Sequence, residues 1–221
     1  MLYGQRDIFD PVHEYAMSPA AAGKLVQCGY LNGHSPTRSP ETVRRELDAR
    51  GRPLVVVTAG GGGDGFNLLR TYLEAVAAGL IPPGVHSLVV TGPLMTRAKR
   101  DLLRGAVPSD RVTLLDFTPD LVSYIAAADL VVSMAGYNTV CETLSLGIRS
   151  LLVPRVRPRA EQRIRAERMV QRGLAHMLLP EDMTPASLAC NVDAGLSAEL
   201  PQAGLEFTGL ALASQHIREM L

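Results

Sequence analysis

Ser133-Met134-Ala135-Gly136-Tyr137-Asn138-Thr139-Val140-Cys141-Glu142 decides the fold of this chain. It follows Ala128-Asp129-Leu130-Val131-Val132, an apolar run that reads as a buried strand, and it opens a stretch of helical period. A turn of small residues between a strand and a helix start leaves backbone N–H groups aimed at one point. Those unpaired donors and the helix dipole together favour a phosphate. Glu142 falls one turn into the helix. A carboxylate there can accept hydrogen bonds from two ribose hydroxyls while the turn holds phosphate. The pattern points to a nucleotide or a nucleotide-sugar.

Around this stretch, short Val/Leu-rich runs alternate with longer helical segments. The runs are 54–58, 87–91, 112–115, 130–133, 150–154 and 175–179. Each is apolar at successive positions, as strands covered on both faces are. Phe66, Leu69, Leu73, Val76 and Leu80 step by three and four and form one helical face. Leu121 with Ile125, Val140 with Leu144, the span 161–172, the span 184–194 and the span 202–221 give further helices. Gly147 and Gly173 sit where C-caps belong, and Pro185 in a first turn. The expectation is an α/β domain, a doubly wound Rossmann-like parallel sheet of about six strands, with ligand at the carboxyl ends of the strands. Residues 1–40 read as a linker-like leading segment with a loop over 32–40. Residues 41–200 read as the ligand-binding domain and 201–221 as a C-terminal helix.

Composition excludes several classes of function. The chain has 221 residues, 22 Lys+Arg against 22 Asp+Glu, and no Trp. A balanced charge gives no general attraction for nucleic acid or an anionic surface. The cysteines Cys28, Cys141 and Cys190 form no CxxC and read as reduced thiols. No run reaches the length of a membrane helix, and the first residues lack a signal-peptide core. These features fit a cytoplasmic chain. The five histidines are scattered without metal-ligand spacing, and no D-x-D occurs, so no metal and no cofactor are expected.

Two further motifs follow strands. Thr58-Ala59-Gly60-Gly61-Gly62-Gly63-Asp64-Gly65 contains G-x-G-x-x-G in a strand-to-helix context. A dinucleotide site also wants an acid closing the second strand, but Val89-Val90-Thr91-Gly92-Pro93 has none. The favoured reading is a backbone brought close to phosphate or a second substrate, with a loop kept glycine-rich for a tight turn and a dinucleotide site as the alternatives. Residues 155–168 carry six arginines after the fifth strand. Arg155, Glu161 and Gln162 are placed by the strand end near the crevice. Arg157, Arg159 and Arg163 read as solvated. Phe117 and Thr118, closing the third strand, could flank a base, although an aromatic there is as often core.

In this order the motifs resemble the C-terminal, donor-binding domain of GT-B glycosyltransferases, with the MurG type of glycosyltransferase family 28 the nearest match. Gly61-Gly62-Gly63-Asp64-Gly65 is similar to the family's GGS-x-G loop, with Gly63 in place of serine. Ala135-Gly136-Tyr137-Asn138-Thr139 and Glu142 match S-G-A-L-T-x-x-E. Glu161-Gln162 and Arg165-Ala166 match the family's paired H-Q or Q-Q and its N-A. The resemblance implies an inverting, metal-independent glycosyltransferase fed by a UDP-sugar such as UDP-N-acetylglucosamine. It places Phe117 and Thr118 by the uracil, Thr139 and its neighbours on the diphosphate, Glu142 on the ribose and Gln162 on the sugar. Arg155 would steady the departing UDP. The family's catalytic base and acceptor site belong to an N-terminal domain for which this chain has no room. The chain is then a fragment or one half of a two-chain enzyme, with a separate acceptor-domain polypeptide as partner. Membrane contact would come only through that partner or a lipid acceptor. A UDP-sugar 2-epimerase of the same fold and a non-catalytic nucleotide-sugar-binding module are the other readings.

Overall fold

The structure, a computed structural model, describes residues 1–31, 34–106, 110–155, 160–201 and 205–220. Arg157 and Arg159, the first two residues of the 32–40 loop and the start of the 202–221 span lie outside them.

Six strands, β1 (Leu54–Thr58), β2 (His86–Val90), β3 (Val112–Leu115), β4 (Leu130–Ser133), β5 (Arg149–Leu152) and β6 (His176–Met177), form one sheet in the order β3-β2-β1-β4-β5-β6. Every pairing is parallel. The chain builds outward from β1 in one direction, then crosses to β4 and builds outward in the other. The order reverses between β1 and β4, and a crevice opens there at the carboxyl ends of the strands. Pairing of Thr58 with Ser133 sets the loop after β1 beside the turn after β4.

Ten α-helices occur among the described residues: α1 (Pro11–Glu14), α2 (Pro19–Ala22), α3 (Pro40–Glu46), α4 (Phe66–Ala77), α5 (Arg97–Gly105), α6 (Leu121–Ala127), α7 (Tyr137–Ser145), α8 (Glu161–Gln171), α9 (Pro185–Ser197) and α10 (Gly209–Met220). Strand alternation sorts the core into layers. Val55 and Val57 pack on α4 and α9, whose Leu69, Leu73, Leu188 and Val192 are buried. Leu54 and Val56 pack on the opposite layer with Val43 of α3 and Ile125 of α6. A third cluster joins Val140 and Leu144 of α7 and Met169 of α8 to Ile8 and Tyr30 of the leading segment and to Phe207. The leading segment is therefore packed, through isolated bridges Leu2–Gln27 and Gly4–Gly29 and the buried Ile8 and Tyr30. No helix among the described residues is long and apolar enough to cross a membrane.

The glycine-rich loop is explained in part by packing. A Cβ on Gly62, which has φ +90°, would lie 2.3 Å from the Thr91 carbonyl oxygen. A Cβ on Gly92, φ +88°, would lie 2.3 Å from the Gly60 carbonyl oxygen. The loops after β1 and β2 thus interlock backbone to backbone. Nothing lies within 4 Å of a Cβ on Gly63, which stands open. Gly92→Ala should therefore cost about 2–4 kcal/mol, from left-handed strain plus overpacking. Gly63→Ala should stay within about 0.5 kcal/mol. Urea unfolding of the two variants measures the contrast.

Candidate functional site

Two connected cavities, of about 420 and 260 Å³, occupy the β1/β4 crevice and share Thr58, Gly60, Gly61, Gly136 and Thr139 as walls. The first also takes in Phe117, Thr118, Tyr137, Asn138, Glu142 and His34. The second takes in Gly62, Gly63, Asp64, Arg155 and Gln162. Residues from the ends of β1, β3, β4 and β5 converge here, as the sheet order requires. Ala135 is fully buried beneath the turn and lines neither cavity. Glu161 is also off the cavity walls, because its carboxylate pairs with Arg165 one turn along α8. Phe117 is 59% exposed, so it is no core aromatic. Arg163 pairs with Glu167 and Glu181 on the outside of α8, as a solvated face would.

The seam between the two cavities is the start of α7. Its N-cap is Gly136, with no side-chain cap, whereas α3 is capped by Ser39 and α9 by a Thr184–Ser187 capping box. The first-turn N–H groups of Tyr137, Asn138 and Thr139 have no intrahelical carbonyl to donate to. They present the positive end of a helix to the crevice, which suits an anion.

Arg165 holds that turn in place from below. The residue is 4% exposed, and its guanidinium donates from Nη1 to the Ala135 carbonyl oxygen at 3.1 Å and pairs through Nη2 with Glu161. It also lies 5.6 Å from the centroid of the Tyr137 ring. Ala135 adopts φ +58°, a left-handed conformation that costs a non-glycine residue about 1–2 kcal/mol. The buried hydrogen bond helps fix it. From the other side the Leu31 N–H donates to the Tyr137 hydroxyl at 3.0 Å, and the Tyr30 ring stacks on Tyr137 at 5.8 Å. In the second cavity, the Arg155 backbone N–H donates to Gln162 Oε1 at 3.1 Å. The Arg155 guanidinium reaches Asp64 across the crevice at 2.7 Å. Thr37 and Arg38 tie the segment after the leading loop to Asp120 and Ser123 at the start of α6. That tether sets His34 beside the first cavity.

Glu142 is the titratable group facing the first cavity from α7. Burial pushes its carboxyl above the ordinary range, and His34, with Nδ1 4.0 Å from Oε1, pulls in the opposite direction. Cys141, the neighbouring thiol, is pushed up to about 11 by burial, so it is protonated at neutral pH and is no nucleophile. Among the described residues no group of three or more His, Cys, Asp or Glu side chains is placed to hold a metal.

The profile of the glycosyltransferase family 28 C-terminal domain matches residues 54–204. This chain belongs to that family. Its curated relatives include the UDP-N-acetylglucosamine–N-acetylmuramyl-(pentapeptide) pyrophosphoryl-undecaprenol N-acetylglucosamine transferase of Mycobacterium avium. That enzyme is 34% identical over 151 residues, which are 68% of this chain and 36% of the relative. The Paenarthrobacter aurescens enzyme of the same name is 30% identical over 139 residues, 63% of this chain and 36% of the relative. The chain thus spans well under half the length of these relatives. Among solved structures, MurG of Acinetobacter baumannii superposes with a TM-score of 0.58 at 20% identity, over 94% of this chain and 58% of that one. The glycosyltransferase VinC, solved with dTDP, gives 0.56 at 22% identity, over 88% of this chain and 43% of that one. These likenesses establish the GT-B glycosyltransferase fold, in its MurG-like family 28 C-terminal form.

Sequence reading missed His34 as part of the site, and gave Arg165 only as a motif match, without its place under the turn. His34 lies in a loop with no periodicity to place it. Arg165 reads as one of six arginines, and only its burial separates it from the solvated ones. Arg165→Ala should lower stability by about 2–3 kcal/mol, by leaving the Ala135 carbonyl and Glu161 unpaired. Arg165→Lys should recover less than half, because one ammonium cannot serve both partners. Urea midpoints read both. A carboxyl with a raised folded-state pKa contributes stability at low pH that is lost as pH rises. Glu142→Gln should therefore make the ligand-free chain more stable at neutral pH. The gain should shrink as pH falls through the carboxylate range, as followed by thermal melts.

Proposed function

We propose that this chain is the donor-binding half of an inverting, metal-independent glycosyltransferase that takes a UDP-sugar, UDP-N-acetylglucosamine foremost. One juxtaposition carries the reading. The uncapped α7 start, the exposed Phe117 ring and the Glu142 carboxylate bound a single crevice. Phe117 and the Thr118 backbone would flank the uracil. Glu142 would accept from the ribose hydroxyls. The amides of Tyr137, Asn138 and Thr139 would take the diphosphate, with Gly61, Gly63 and Arg155 beside it. Gln162 would meet the sugar. The names of the relatives, which describe transfer of N-acetylglucosamine from UDP to a lipid-linked acceptor, support this assignment.

In transfer, an acceptor hydroxyl attacks the anomeric carbon and the bond to the diphosphate breaks with inversion. Negative charge grows on the leaving diphosphate. Fixed amides and a guanidinium aimed at that charge lower the barrier without needing to reorganise. Glu142 positions the ribose and is no base. The base and the acceptor site would come from a further domain, on this chain's longer parent or on a partner polypeptide. Membrane contact would arise through that partner or a lipid-linked acceptor, on the cytoplasmic side. Nucleic acid is not among the proposed ligands.

Calorimetry with UDP, ADP and NAD tests the reading. UDP should bind and the other two should be at least about tenfold weaker. Glu142→Ala should weaken UDP about tenfold or more, since a hydrogen bond to a charged group is worth about 1.5–3 kcal/mol. A variant that binds UDP as the parent does would remove Glu142 from the site. Protonation removes the charge and turns one of the two accepting oxygens into a donor, so UDP affinity should also fall as pH drops through the raised carboxyl range, and Glu142→Gln should flatten that dependence.

A further inference from the structure

A third cavity, of about 340 Å³, adjoins the second, with Asp64, Met134 and Arg155 forming the shared wall. Beyond that wall it is floored by Leu68, Met134, Val153 and Met183, with Asn67 on its rim. The three cavities thus adjoin in series, from Phe117 and Glu142, past the α7 start, to an apolar end. The wall between second and third is the Asp64–Arg155 ion pair, which joins the loop after β1 to the loop after β5 at 2.7 Å. Arg155 Nε is shut off from solvent and has no hydrogen-bond partner among the described residues.

Resting on the nucleotide-sugar reading above, we infer that the third cavity is a specificity pocket for an apolar substituent of the transferred sugar. The order of a nucleotide-sugar is base, ribose, diphosphate, sugar. With the diphosphate at the α7 start and the nucleoside on the Glu142 side, the sugar ring falls on the Asp64–Arg155 side. There the ring meets a carboxylate that accepts from hydroxyls and a guanidinium that donates to ring oxygens. A hydroxyl pushed past that pair would lose its water against leucine, valine and methionine. A methyl, as in an acylamino or a 6-deoxy group, loses nothing there and is removed from water. The cavity is therefore selective for what the ring carries rather than for the ring itself.

The test is calorimetry on the full chain with UDP, UDP-glucose, UDP-6-deoxyglucose and UDP-N-acetylglucosamine. At least one of the two methyl-bearing sugars should bind about four- to tenfold more tightly than UDP-glucose, the worth of burying one methyl group. Met183→Trp, which fills the cavity from its floor, and Asn67→Trp, which closes it from an exposed rim position, should abolish that preference. Both should bind UDP as the parent does, which also shows that they fold. Equal binding of all three sugars by the parent would overturn the pocket. So would a preference that survives both substitutions. Failure of UDP itself to bind the parent would instead overturn the nucleotide-sugar reading, and the pocket with it.

Discussion

Everything at the crevice depends on one short turn, Met134-Ala135-Gly136, between β4 and α7. β4 is central in the sheet, and β1 beside it marks where strand order reverses. The turn must deliver a helix start to that place with its amides unspent. A serine or threonine cap would have satisfied one of those donors internally. Gly136 does not, and the buried Arg165 supplies from beneath the rigidity that a cap would have given from above. The interaction couples stability to function, because the hydrogen bond that holds Ala135 in a left-handed conformation also aims the amides.

The surroundings answer to the same constraint. Gly62 and Gly92 interlock, so the loops after β1 and β2 leave room for a ligand between them and α7. Tyr137 sits between Arg165 and Tyr30, and ties the leading segment to the helix it begins. Burial raises the Glu142 carboxyl, which makes the empty crevice costly at neutral pH. Under the proposed function, one ligand would meet both the half-buried carboxylate and the amides of the helix start. A nucleoside diphosphate has hydroxyls for one and oxygens for the other.

Much of this architecture was legible in the residues. Strands 54–58, 112–115 and 130–133 fall where their apolar runs do. β2 and β5 begin one residue earlier than their apolar runs, since the polar His86 and Arg149 still pair with Leu54 and Leu130 in the ladder. The run at 175–179 shrinks to two paired residues at the sheet edge. α5 was invisible because only Leu103 of its nine residues is buried, and α3 because it abuts the Ser/Pro-rich loop. At the site, which residues the strand ends bring to the crevice was readable, as with Glu142, Phe117 and the glycine loop. What depends on a side chain's direction was not. Glu161 turns to Arg165, Arg165 turns under Ala135, and Gly62 is required by a neighbouring loop rather than by a ligand. His34 reaches the crevice only because Thr37 and Arg38 are anchored on α6.

The most direct measurement is a crystal structure of the chain grown with UDP. The account predicts the diphosphate within hydrogen-bond reach of the Tyr137–Thr139 amides, the ribose on Glu142 and the uracil beside Phe117. UDP lodged anywhere else, or those amides found bonded to protein atoms that leave no space for phosphate, would contradict it.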